Sequence, residues 1–372
     1  MKTVHKYYLL LLILFTLFLS ACARGGVGTT TSWPGVAGDM ESNVAYVAHG
    51  QRVYAVDLES GREKWRYPQE TENNVTFYAD PALTPDGHLI VGGYDKILHK
   101  LDTETGQEIS NTNWPFTNSE DIYVAGPLVS GNYIFAPSTD GNLYILDVEG
   151  NLVNTISTDA GLWATPASDG ENIYIPSMDH HLYAYNIESG EEIWPAVDMS
   201  AAITGTPALS SDGVLYVGTL GSEMTAIDAK TGKAIWNQPV ETVGWVWAGP
   251  LLLNDVIYFG DLSGSVYALN VANGSEKWAR AELDPTTSKK VTGTPHYFED
   301  KLYIGSENGN LYEVDPETGA SKVFWSDEKG KLYTGPVSAG DKILVAIEGG
   351  DALLVALDND GFEVWQPFVP AE

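Results

Sequence analysis

The 372-residue chain has a single cysteine, Cys22, so no internal disulfide can form. Stability must come from packing alone, and a composition that is 44% hydrophobic, with 11 Trp and 20 Tyr, supplies the apolar area for it. Basic residues are scarce. Twenty Lys and Arg stand against 50 Asp and Glu, a net charge of −30. Such a surface repels nucleic acid and anionic headgroups, which excludes nucleic-acid binding and leaves no basic patch to hold a membrane. Catalytic signatures are missing as well: there is no GxSxG, HExxH or P-loop pattern and no CxxCH haem site. The only close histidine pair, His180-His181, occupies the hairpin position that Asp140-Gly141 fills one unit earlier, and reads as a turn and not as a metal site.

One long apolar run is present. Tyr7 to Leu19, interrupted by Thr16 and preceded by Lys2 and Lys6, is too short to span a bilayer and suits the apolar core of an export signal. It ends in Leu19-Ser20-Ala21-Cys22, which resembles the bacterial lipobox, in which the cysteine thiol carries a diacylglycerol. The expected division is a leader over 1–21, a short tether over 22–31 starting at lipidated Cys22, and the folded part over 32–372. Loss of 1–21 would remove Lys2 and Lys6 and no acid, taking 20 basic residues to 18 against 50 acidic ones, a net charge of −32. The membrane anchor is then the acyl chain, and the location is extracytoplasmic: the periplasmic face of the outer membrane in a host with two membranes, the cell surface in a host with one.

The rest of the chain repeats. An Asp or Asn after a short β-prone run recurs at Asp57, Asp102, Asp147, Asn186, Asp228, Asn270, Asp315 and Asp358, at spacings of 45, 45, 39, 42, 42, 45 and 43. A proline opens each unit, at Pro34, Pro81, Pro127, Pro166, Pro207, Pro250, Pro295 and Pro336. The unit from Thr204 to Trp236 shows four short Val/Ile/Leu/Tyr segments separated by Gly, Asp and Ser turns, the signature of strands and hairpins. No 3.6-residue apolar period is present, which excludes a helical solenoid. Four strands per unit, eight times over, predict an all-β, eight-bladed propeller of antiparallel blades.

A turn reading Thr-Gly or Ser-Gly follows the marker residue at Ser60-Gly61, Thr105-Gly106, Ser189-Gly190, Thr231-Gly232 and Thr318-Gly319. The marker side chain can accept backbone N–H bonds there, so its role is structural. Four residues after the turn glycine stands a tryptophan at Trp65, Trp194, Trp236, Trp278 and Trp365. This pattern resembles the tryptophan-docking motif of PQQ-like repeat propellers and covers essentially the whole chain after the leader. The resemblance implies that each indole packs on the next blade. Burying an indole removes roughly 150 to 250 Å² of surface, an upper-limit gain of about 4 to 6 kcal/mol. Unit two has Ser110 at the docking position with Trp114 displaced, unit three has Asn154, and unit seven has Val323 with Trp325 two residues late. Weaker blade contacts are expected around units two and three.

Quinoprotein dehydrogenases of this fold hold their quinone with a disulfide between adjacent cysteines, which this chain cannot make. The resemblance is therefore to cofactor-free members, the BamB-like lipoproteins of outer-membrane assembly, and it implies no PQQ, no catalysis and a protein or peptide partner at the cell envelope for a monomeric propeller. A small-molecule sensor, or less favourably a PQQ-dependent dehydrogenase, is the alternative. One positional set bears on this choice. Three residues before each proline stand Thr31, Tyr78, Val124, Trp163, Thr204, Trp247, Thr292 and Tyr333. If these positions ring the central channel, the aromatics Tyr78, Trp163, Trp247 and Tyr333 either plug its mouth or contact a ligand. The variable loops Gln69 to Thr76, Ser110 to Asp121 and Ala281 to Lys290 are expected on the same face, where recognition on a rigid scaffold concentrates.

Overall fold

A computed structural model describes residues 33–39, 41–71, 75–283 and 289–371. The expectations for Cys22, the leader, the tether and Thr31 lie outside these residues. Within them every regular element is a strand, and the strands form eight sheets, each built from consecutive antiparallel segments. The unit read most clearly from sequence gives Ala208–Leu209, Val214–Thr219, Glu223–Asp228 and Val240–Glu241, paired in that order. Its two middle strands are almost wholly buried, since each blade is covered by a neighbour on both faces. In the second and eighth blades the fourth strand shrinks to isolated bridges, Leu98 with Phe116 and Leu101 with Glu108, then Leu354 with Phe368 and Leu357 with Glu363.

The marker residues act within their turns. Asp57, Asp102, Asp228 and Asp315 accept the backbone N–H three residues on at 2.8 to 2.9 Å and the hydroxyl of the same residue at 2.6 to 3.0 Å. These bonds, from Ser60, Thr105 and Thr318, hold the carboxyls of Asp57, Asp102 and Asp315 below their ordinary range. The turn also sets the docking site. Trp65, Trp194, Trp236, Trp278 and Trp365 each donate Nε1–H to the carbonyl after the neighbouring blade's marker, at Thr103, Ala229, Val271, Pro316 and Leu58, over 2.8 to 3.3 Å. Each ring lies where a Cβ on the neighbouring turn glycine would stand. In blade one the ladder shifts register at Lys64, one residue before Trp65, as a β-bulge does.

The expected weakness at unit two does not hold. Trp114, displaced in sequence, is 1% exposed, packs against Gly150 of the third blade and directs Nε1–H to Val148 O at 3.4 Å. The longer loop carries the indole back to the docking position, and the Lys100 ammonium lies 5.7 Å from its ring centre. Unit three does lack an indole: the amide of Asn154 faces Gly190 instead. In unit seven Val323 is half exposed, Phe324 packs against Gly361, and Trp325 reaches Glu363.

The first sheet is made only from the amino-terminal end, Gly35–Asp39 onward, and the last only from the carboxyl-terminal end, Val337–Ala339 onward. Among the described residues, ring closure therefore uses no exchanged strand. It rests on side chains: Trp365 docks on the first blade, Val36, Val47 and Tyr54 share a core with Leu344, Leu354 and Phe368, and His49 Nε2 meets Glu348 Oε2 at 2.6 Å.

Candidate functional site at the channel mouth

The segments entering each blade converge on the propeller axis. Their prolines fix an extended entry, and glycines let neighbouring entries touch: a Cβ on Gly126, Gly249 or Gly335 would meet the carbonyl oxygen of Asp80, Thr206 or Thr294 within 2.9 Å. Threonine hydroxyls tie adjacent entries together, Thr165 to Gly126 O, Thr204 to Trp247 O, Thr292 to Tyr333 O and Thr334 to Pro34 O, at 2.8 to 3.0 Å. The last of these also spans the ring closure.

Inside this ring lies a cavity of about 550 Å³. Tyr78, Val124, Trp163, Thr204, Trp247, Thr292 and Tyr333 all line it, so the structure brings together the whole described set named from sequence. Thr31, the first-unit member, falls outside the described residues, and an aromatic not foreseen fills that sector. Trp33 stacks on Tyr333 at 4.9 Å and 12°, and lies 5.6 Å from Trp247 and 6.1 Å from Tyr78. Tyr94, from a hairpin of the second blade, stacks on Tyr78 at 5.0 Å. The aromatic side of the mouth is thus closed by ring contacts, while Trp163 stands apart from them and is 42% exposed. The signal for Trp33 was in the sequence: it precedes Pro34 where the other units carry Asp80, Gly126, Thr165, Thr206, Gly249, Thr294 and Gly335.

Two ionisable groups face the same space. Asp80 is exposed to the cavity, and the protein around it raises its carboxyl above the usual range by desolvation, despite an N–H bond from Val36 at 2.8 Å. His296, also on the cavity wall, is pushed below the ordinary imidazole value by burial, and its Nε2 has no partner among the described residues. The pair His180-His181 forms a turn, with His180 at φ 76° and His181 bonded to Asp179, and no cluster of metal-ligating side chains occurs among the described residues.

The irregular loops meet the mouth face as expected. Each bonds to the hairpin between the second and third strands of a blade: Tyr94 N to Thr76 O, Glu120 N to Asp140 Oδ2, Leu283 N to Gly264 O. Much of Ser110 to Asp121 is packed down through Trp114 and Phe116, and Lys290 is neutralised by Glu307 at 3.1 Å. The exposed apolar groups on this face were not singled out from sequence: Val243 and Trp245, 57% and 53% exposed, in the loop leading to Trp247. Their offset from the marker proline follows no repeat position.

Similarity to known proteins bears on the whole ring. A computationally designed protein, Ika8, superposes with a TM-score of 0.71 at 14% identity, over 89% of this chain and 97% of its own. BamB from Moraxella catarrhalis superposes with a TM-score of 0.66 at 17% identity, over 85% of this chain and 96% of its own. At those identities the likeness establishes the fold. A curated relative, the outer membrane protein assembly factor BamB of Nitrosomonas eutropha, is 34% identical over 85 residues, 23% of this chain but only 20% of that protein. The family described as "Outer membrane protein assembly factor BamB" matches residues 19–196 and 178–328. With two overlapping matches spanning most of the repeat array, the chain belongs to the BamB family of PQQ-like repeat β-propellers.

Proposed function

We propose that this propeller is a non-catalytic, lipid-anchored scaffold of the cell envelope that binds a protein or an extended peptide on its mouth face, in outer-membrane protein assembly where the host has two membranes. The observation that carries the reading is the gathering on one face of a rigid ring of Trp163, Val243 and Trp245, exposed beside the aromatic mouth. Exposed aromatics held by a stiff scaffold are typical interface anchors. The family description and the curated relative both name an assembly factor, which agrees with a partner-binding role.

Photocrosslinkers placed at positions in the Ser110 to Asp121 loop and at Val243 are expected to trap envelope proteins, while probes in the turns at the opposite end of the sheets trap none. The reverse pattern would assign the interface to the wrong side. Anchoring is tested separately. Mass spectrometry of the membrane fraction should find an amino-terminal peptide starting at acylated Cys22, and Cys22→Ala should release the protein; a soluble, unmodified wild-type form would overturn this part.

A second reading, small-molecule sensing, is favoured by one feature: the cavity has the volume of ordinary ligand sites, about 300 to 1,000 Å³. It predicts saturable binding by the isolated protein that is lost in Trp247→Ala.

A further inference from the structure

The cavity wall carries more chemistry than a plug requires. Trp33, Tyr78, Tyr94, Trp163, Trp247 and Tyr333 supply aromatic surface, and among all the lining residues no Lys or Arg occurs. The carboxylate of Asp80 opens into the same space, and its one hydrogen bond among the described residues comes from the Val36 N–H to Oδ1. Oδ2 has no protein partner among the described residues. At this level of the channel six of the other units place Gly or Thr and the first places Trp33, so an acid here is a departure from the repeat. A carboxylate facing a wall of aromatic rings, with no Lys or Arg beside it, is complemented by a cation. Ring faces attract the same kind of ligand through their quadrupoles, with tryptophan the strongest.

We infer that the channel binds an organic cation, an alkylammonium or guanidinium group, held between the aromatic mouth and Asp80. Trp163, exposed and outside the Trp33 ring contacts, is the ring that an entering cation meets first. Four of the six threonine hydroxyls of the wall, those of Thr165, Thr204, Thr292 and Thr334, are committed to neighbouring carbonyls, which limits the groups that could read a polyhydroxylated neutral ligand. The cation is borne either by a free small amine or by a Lys or Arg side chain of a bound peptide.

This inference deepens the reading of the mouth as a binding site, and its test is independent of the loop crosslinks. The full mature protein is titrated with choline and with its neutral isostere 3,3-dimethylbutanol, following tryptophan fluorescence and heat. Saturable choline binding at least about tenfold tighter than the isostere is expected, and Asp80→Asn, which keeps the Val36 bond acceptor, should weaken choline about tenfold or more. Thermal melting of Asp80→Asn near the wild-type value shows that the ring is intact, and Trp247→Leu supplies a second variant with the same expected loss. Titration with an acetylated, amidated tripeptide centred on Lys or Arg separates the sources: tighter binding than choline indicates a peptide-borne cation, weaker binding a free amine. Equal binding of the isostere, stronger binding of neutral sugars, or no saturable binding of choline, guanidinium and the tripeptides overturns the proposal. Loop crosslinks without choline binding would remove this inference alone; choline binding without crosslinks would remove the partner reading alone.

Discussion

Trp236→Ala is expected to lower the unfolding free energy by about 3 to 5 kcal/mol, the range for truncating a buried aromatic. The indole is 3% exposed, donates Nε1–H to Val271 O of the next blade at 2.8 Å, and lies so close to Gly274 that a Cβ there would come within 2.9 Å of the ring. Truncation would open a void between two blades and leave the Val271 carbonyl without that donor, and both effects have the same sign. The adjacent Ile235 serves as control, because at 42% exposure its change to Ala should stay within about 0.5 kcal/mol. Denaturant unfolding measures both. A loss below about 1 kcal/mol for Trp236→Ala would show that the blades are held together by something other than the docked indoles.

The glycine side of the same contact offers a comparison that sequence alone could not supply. Gly274 (φ 72°) and Gly190 (φ 69°) adopt the same left-handed turn. The first is covered by a rigid indole and the second by the far end of Asn154, which can swing away. Alanine at either position carries the strain of a positive φ, about 1 kcal/mol. Only at Gly274 should it also dislodge the docked ring, so Gly274→Ala is expected to cost clearly more than Gly190→Ala in the same unfolding measurement.

Sequence periodicity was enough for the strands, the turns and five of the docking tryptophans, because each of these depends on residues a fixed number of steps apart on one chain segment. It failed wherever a side chain reaches its place by another route. Trp114 sits four residues beyond the docking position, and only the path of its loop returns it to Gly150. Trp33 enters the mouth from the level that other units leave to Gly, Thr or Asp, so an offset of three from the proline pointed to Thr31 instead. Asp80 departs from the Gly or Thr of most units, but that departure alone does not name a role. What makes Asp80 and His296 notable is the cavity they face, and that is a property of eight segments meeting at one axis. The mouth residues were legible because the axis imposes one inward position per unit; their chemistry was not, because it depends on which neighbours arrive from other units.

Between pH 6.5 and about 9 the protein is expected to lose about 3 kcal/mol of stability, through His99. Burial alone would lower the pKa of this 4% exposed imidazole, but hydrogen bonds and charge from Asp95 and Glu108 outweigh it and raise it to about 9. Nδ1 meets Glu108 Oε1 at 2.5 Å and Nε2 meets Asp95 Oδ2 at 3.1 Å, so both ring nitrogens donate, as only the imidazolium can. A basic group whose folded pKa is raised above its unfolded value of 6.5 contributes fully below 6.5, and its contribution fades as pH rises through the folded value. The location explains why a charge is kept in a core. The fourth strand of the second blade is reduced to bridges, and His99 joins the hairpin at Asp95 to the outer segment at Glu108 while its ring packs on Phe77 and Tyr67 of the blade interface. It adds side-chain ties where the ladder is reduced to isolated bridges. Denaturant unfolding at intervals from pH 6 to 10 should show the decline in the wild type and a flat profile over the same window in His99→Gln, at lower stability overall. An unchanged slope in His99→Gln would mean that the decline arises from another group and that the imidazolium does not tie this blade together.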